Sequence, residues 1–159
     1  MRFVLVAIGL TLLANAAPAQ GNPGGEQHAV IALPGKITWS PAPPILPRGA
    51  ELAVVEGDPS KATAFTMRLR MPDGYRIPAH FHPVVEHVTV LQGTFRVGMG
   101  DKFDAAALSD LPTGTFAALA PGVRHFAAAK GETVIQLHGV GPWSLHYVNP
   151  ADDPRKQGQ

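Results

Sequence analysis

Residues 80 to 87 read HFHPVVEH, three histidines and a glutamate within eight residues. Neutral imidazole and carboxylate are borderline-to-hard donors that suit divalent Fe, Mn, Co, Ni, Cu or Zn. His80 and His82 are two apart, so on a strand both point to one face. Glu86 has the same parity, but at about 3.3 Å per residue a straight strand would carry it roughly 13 Å beyond His82. Pro83 removes a backbone donor and favours a break there. A turn across Pro83, Val84 and Val85 would bring Glu86 beside the two imidazoles, at the start of a returning strand EHVTVLQG that Gly93 closes at the next turn. Surface strands also carry His and Glu. On chemistry alone, a solvated polar strand explains the stretch as well as a metal site does.

A second stretch, GTFAALAPGVRHF (114 to 126), bears on that choice. It has a glycine, an apolar strand, a Pro-Gly turn and then His125, which a strand crossing the same barrel could supply as a fourth ligand. Val88 and Val90 share the parity of Glu86, and Phe116 and Ala118 alternate on a facing strand, so apolar walls are expected around the site.

Positioning such side chains requires strands, and the chain offers them. From Ala50 onward, β-rich runs follow one another: LAVVEG, AFTMRLRM, RIPAHFH, EHVTVLQG, TFRVGMG, GTFAAL, RHFAAA, ETVIQLHG and SLHYV. Turn clusters such as PDGY, GMGDK, APG and AKGE separate them. AAALSDL (105 to 111) is the one weak helical candidate, and a long loop fits it equally. Short runs at roughly ten-residue spacing without intervening helices predict antiparallel sheets in a sandwich or barrel. Upstream, residues 20 to 47 are Gly- and Pro-rich (GNPGGEQ, PAPPILP) and read as a lead-in segment, with Ile31 to Leu33 and Ile37 to Trp39 available for edge pairing. The barrel is placed at 48 to 150, and residues 151 to 159, ADDPRKQGQ, as a flexible tail.

The chain has 159 residues, enough for one domain. Its first 19 residues carry Arg2, an apolar run to about Leu13 and a closing Ala17-Pro18-Ala19, the pattern of a cleaved secretory leader. The run is shorter than the ~20 residues of a bilayer span. The expected location is periplasmic or secreted. Without Arg2 the 13 basic residues become twelve, matching the 12 acidic ones. A neutral chain without a Lys/Arg cluster has no electrostatic reason to seek nucleic acid or, after leader cleavage, a membrane. It contains no cysteine, which excludes thiolate catalysis, thiolate ligation and disulfides.

The histidine motifs resemble those of the cupin superfamily. Gly74, His80, His82, Glu86 and Gly93 match its first motif at every spacing, G-x5-H-x-H-x3-E-x6-G. Gly114, Gly122 and His125 fall at the offsets of its second. Ala120 stands where that motif has proline, with Pro121 one place later, and Ala129 stands at its terminal asparagine. The motifs span 74 to 129, and the strand pattern extends the likeness over most of 48 to 149. The resemblance implies an all-β fold, a double-stranded β-helix or jelly-roll barrel, holding one divalent transition metal (Fe, Mn, Ni, Cu or Zn) through His80, His82, Glu86 and His125. The chain also looks like the small, single-domain exported cupins with a GPW…YVNPADDP-type ending, and the resemblance leaves a homodimer open.

Other residues carry weaker signals. His87 has odd parity and should face away from the ligands. On ETVIQLHG, Gln136 and His138 share one face and Ile135 and Leu137 the other. Either the polar pair reaches the cavity as catalytic, proton-carrying or substrate-contacting residues, or the apolar pair does. Trp143 and Tyr147 are core or pocket aromatics. His28 and His146 show no partner, and GMGDKF reads as a hairpin turn, not a phosphate loop. No nucleotide-cofactor motif or Ser-His-Asp arrangement is present. Two functions follow: a metal-dependent, dioxygenase- or isomerase-like enzyme acting on a small chelating molecule, or a metal-dependent module that binds such a ligand without turnover.

Overall fold

A computed structural model describes residues 29–156. The expected leader, His28 and the start of the lead-in segment lie outside the described residues, as do the last three positions. Nine strands form in chain order: β1 (Ser40–Pro41), β2 (Glu51–Gly57), β3 (Ala64–Met71), β4 (Arg76–Phe81), β5 (Glu86–Met99), β6 (Ser109–Pro112), β7 (Phe116–Leu119), β8 (His125–Val140) and β9 (His146–Tyr147). The remaining regular structure among the described residues is four short 3-10 turns. No helix there is long and apolar enough to cross a membrane.

Every pairing is antiparallel, and β8 is the hub. Its second half pairs with β3, from Met71↔Thr133 to Ala64↔Val140. Its first half pairs with β4, and its whole length pairs with β5 on the other side. A strand shared in this way curls the sheet into a jelly-roll barrel. Alternation decides which side chains go inside. In β3, Phe65, Met67, Leu69 and Met71 are all buried; Ile135 and Leu137 of β8, Val88 and Val90 of β5 and Phe95 meet them in one core. Each such side chain, fully buried, contributes about 1.5–3 kcal/mol.

Three local expectations are corrected. EHVTVLQG and TFRVGMG are one strand, and so are RHFAAA and ETVIQLHG. Gly93 and Gly131, at φ +73° and +70°, bend these long strands instead of ending them, with a register shift between Gln92 and Thr94. AAALSDL is neither helix nor loop throughout: 105 to 107 form a 3-10 turn capped by Asp104, and Ser109–Pro112 pairs with β5. Edge pairing in the lead-in falls on Ser40 and Pro41, while Ile31 and Leu33 are exposed.

The last part of the lead-in is tied to the barrel and to β9. Tyr75 Oη donates to the Pro47 carbonyl (2.5 Å) and Tyr147 Oη to the Ile45 carbonyl (2.7 Å). Residues 151 to 156, expected in a flexible tail, lie in two 3-10 turns joined at the buried Asp153; Asn149 caps the first turn and Arg155 bonds Asp153.

Candidate metal centre

Strand ends place the site. His80 lies near the end of β4, directly across from His125, which opens β8. A register irregularity between Ile77 and His80 turns Ile77 and the two even-numbered histidines toward the same chamber. His82 sits just past β4, and Pro83 starts the turn that leads to Glu86 at the head of β5. β5 pairs with β7 and β8 and not with β4, so Glu86 reaches the imidazoles across the barrel and not as a hairpin neighbour. Beside the ligands, one backbone bond ties the two motifs: Gly122 N–H donates to the His82 carbonyl (2.9 Å). Val123 N–H closes a turn onto the Ala120 carbonyl, with Pro121 second and Gly122 third at φ +79°. That is the residue order a type II turn requires, so the displaced proline leaves His125 in place.

His80, His82, Glu86 and His125 are each at most 7 % exposed. The three ring centroids lie 4.2 to 5.6 Å apart, and one ligand nitrogen from each histidine falls within 4.8 Å of the others. Each Nδ1 is bonded to a backbone carbonyl: His80 to Pro78 (2.7 Å), His82 to Ser144 (2.8 Å) and His125 to Val123 (3.0 Å). A carbonyl only accepts, so Nδ1 carries the hydrogen and Nε2 keeps its lone pair. His82 Nε2 is buried with no hydrogen-bond partner. A buried polar atom left bare costs free energy, and a cation would satisfy it. Glu86 Oε2 lies 3.2 Å from His125 Nε2 and 3.6 Å from His82 Nε2. The donor set therefore fits a divalent transition metal.

The environment sets the protonation of the three rings. Burial, and then the neighbouring His125 and His82, hold His80 well below the ordinary imidazole range. Burial also lowers His82, against the pull of Glu86. For His125 burial acts downward too, but the hydrogen bond and charge of Glu86 outweigh it and the result is a raised value.

Two chambers open on the cluster. One, of about 470 Å³, is touched by all four side chains and walled by residues such as Leu46, Met67, Ile77, Leu137 and Trp143. The other, of about 420 Å³, meets Glu86 and His125 beneath β5, β6 and β7. Val88, Ala117 and Leu119 face it, whereas Phe116 is exposed, so the expected inward face of β7 is reversed: Phe116 and Ala118 lie outside.

Gln136 and His138 also lie outside, which corrects their reading as cavity residues. Ile135 and Leu137 occupy the inner face, Gln136 accepts from Arg68 Nε (3.0 Å), and His138 stacks on His87 at 4.9 Å. The apolar face of β8 supplies the core and therefore wins the interior. His87 is on that outer side, as its parity indicates. The sequence marked Trp143 as a core or pocket aromatic but gave no role to Ser144, His146 or Arg155. Trp143 stacks on His82 (4.1 Å, 22°), the Ser144 carbonyl orients that ring, and His146 and Arg155 stand in the larger chamber. The separation of some sixty residues between His82 and Ser144 leaves no local signal for them.

The ChrR cupin-like domain family matches residues 27–144. The chain is a cupin. No curated protein matches it. Among solved structures, this cupin is similar in fold to the polyketide cyclase RemF from Streptomyces resistomycificus (13 % identity, 80 % of this chain and 90 % of that one, TM-score 0.66). It is also similar to a putative acetylacetone dioxygenase from Methylibium petroleiphilum (16 %, 82 % and 88 %, TM-score 0.60). KdgF from Halomonas is a further likeness (19 %, 69 % and 91 %, TM-score 0.52).

Proposed function

We propose that this cupin is exported after leader cleavage, holds one divalent transition metal through His80, His82, Glu86 and His125, and acts as a dioxygenase-like enzyme on a small, largely apolar molecule with two chelating oxygens. The observation that carries the reading is the group of three carbonyl-anchored imidazoles, one with a bare buried Nε2, with Glu86 against His125 and His82. Four protein donors on an octahedral metal leave adjacent positions where a chelating molecule and dioxygen can meet.

The chain's own part is to orient and to exclude water. Trp143 and the Ser144 carbonyl hold the His82 ring, and the apolar walls keep the chamber dry. With Gln136 and His138 outside, the residues lining the larger chamber offer no proton carrier beyond the ligand set and His146. Oxidative chemistry can proceed at such a site without a protein base, whereas isomerisation or hydrolysis would fall to His146 or the ligand set. The same observation supports the second reading, a ligand-binding module without turnover.

The test begins with metal content of protein purified without chelator, beside Glu86→Ala and His125→Ala. About one metal per chain is expected in the wild type, with loss in both variants. Oxygen uptake with small 1,3-dicarbonyls and catechols then separates the readings: consumption supports the enzyme, tight binding without uptake the module. A wild type that stays metal-free after incubation with Fe, Mn, Ni, Cu and Zn would sink both.

A further inference from the structure

The larger chamber is lined by the four side chains of the metal centre, and among the other described residues that line it, Arg155 is the one lysine or arginine. Arg155 belongs to the segment that follows β9, and its partner is unusual for a surface arginine. Asp153 is only 6 % exposed, and it receives Arg155 Nε at 2.9 and 3.2 Å, Nη2 at 2.6 Å and the Arg155 backbone N–H at 3.0 Å. An exposed ion pair with two mobile partners does little. Here one partner, the Asp153 carboxylate, is buried and fixes the half-exposed guanidinium.

The geometry leaves donors to spare. A guanidinium has five N–H groups in a planar fork, and the bonds to Asp153 run along the Nε–Nη2 edge. Nη1 and the second hydrogen of Nη2 form the other edge, suited to a second carboxylate. The same chamber is walled by Ile45, Leu46, Leu145 and the inner faces of β3 and β8. Resting on the reading of the histidine cluster as a chelating centre, we propose that the chamber takes an apolar carboxylic acid. Its chelating oxygens meet the metal centre at one end, and its carboxylate meets the free edge of Arg155 at the other. Asp153 is the positioning residue for that contact. A divalent ion beside one carboxylate and three neutral imidazoles retains one positive charge for the chelating end; the Arg155–Asp153 pair is neutral overall, so its free edge offers directed N–H donors to the acid.

Three catechols test this on the zinc-loaded protein without oxygen: 3-(3,4-dihydroxyphenyl)propanoate, its methyl ester and 4-ethylcatechol, with Kd measured by calorimetry. The acid is expected to bind about tenfold tighter than the ester, the difference one charge-assisted bidentate contact makes. In Arg155→Gln the ratio of the two affinities should collapse toward one, and Arg155→Lys should restore part of it. Equal affinities in the wild type, or a ratio that survives Arg155→Gln, overturn the proposal and leave the chelating centre standing. Failure of all three catechols to bind zinc-loaded protein overturns it together with the chelation on which it rests.

Discussion

Pro78, Ser144 and Val123 each present a backbone carbonyl to Nδ1 of a site histidine, and an acceptor-only partner fixes the hydrogen there and turns the Nε2 lone pair inward. His80 and His82, both depressed below 6.5 by burial, are neutral near that pH and offer their lone pairs without first losing a proton. His125 differs. Burial acts downward on it as well, but the hydrogen bond and charge of Glu86 lift it above 6.5, so near that pH His125 favours its protonated form. Metal must displace that proton. As pH rises from 6.5 through the raised value of His125, metal affinity should therefore increase by about one decade per pH unit, then level off. Calorimetry of zinc binding at pH 6.5 in two buffers of different ionisation enthalpy should give about one proton released per metal. A count near three would mean that burial does not keep His80 and His82 neutral. The positions of these residues were readable because H-x-H and the proline break are local in the chain. The outward placement of Gln136 and His138 was not, because either face of an alternating strand can satisfy the pattern until a register is chosen.

Strands were legible as runs of β-branched and aromatic residues, but where they end was not. Gly93 shows why. A glycine among turn-forming neighbours reads as a stop, yet here β5 continues through it because the chain passes against β8 with no room for a side chain. A Cβ on Gly93 would collide with the Glu132 carbonyl and crowd Thr133, whereas one on Gly131, at nearly the same φ, would meet open space. The pair separates backbone strain from close approach. Gly131→Ala should cost about 1 kcal/mol, the price of a left-handed residue that is not glycine. Gly93→Ala should cost roughly 2–4 kcal/mol, since overpacking adds about 1–3 to that strain. Urea midpoints of the two variants decide it; equal losses would mean that β8 yields and that Gly93 is there for its φ alone. The same reasoning explains the merged β8: AKGE looks like a turn, and Gly131 provides only a bend.

At the scale of the molecule, the metal chamber is closed by the two parts of the chain that carry the least periodic signal. Leu46 and Ile45 come from the lead-in, and Trp143, Leu145 and Arg155 from the segment around and after β9. Pro-rich and polar stretches offer no alternation to read, and what holds them is side-chain bonding to backbone, which pattern does not encode. One bond joins the two: Tyr147 Oη to the Ile45 carbonyl. Tyr75 ties the lead-in alone, through Pro47. Burial raises both phenols, so each stays a donor across the ordinary pH range. Removing either hydroxyl should cost about 1 kcal/mol of stability, more if the carbonyl left behind stays dry. Their effects on the site should differ. Tyr147→Phe frees the lead-in from the segment that carries Trp143 and the Ser144 carbonyl, the groups that hold His82. Zinc should therefore leave Tyr147→Phe several-fold faster than wild type when challenged with excess chelator, since groups that orient a ligand govern about 10- to 100-fold in metal affinity. Tyr75→Phe, with similar loss of stability, should release zinc at close to the wild-type rate. If the two variants release metal alike, the walls of the chamber act independently, and His82 is held by its own strand and loop without help from the lead-in.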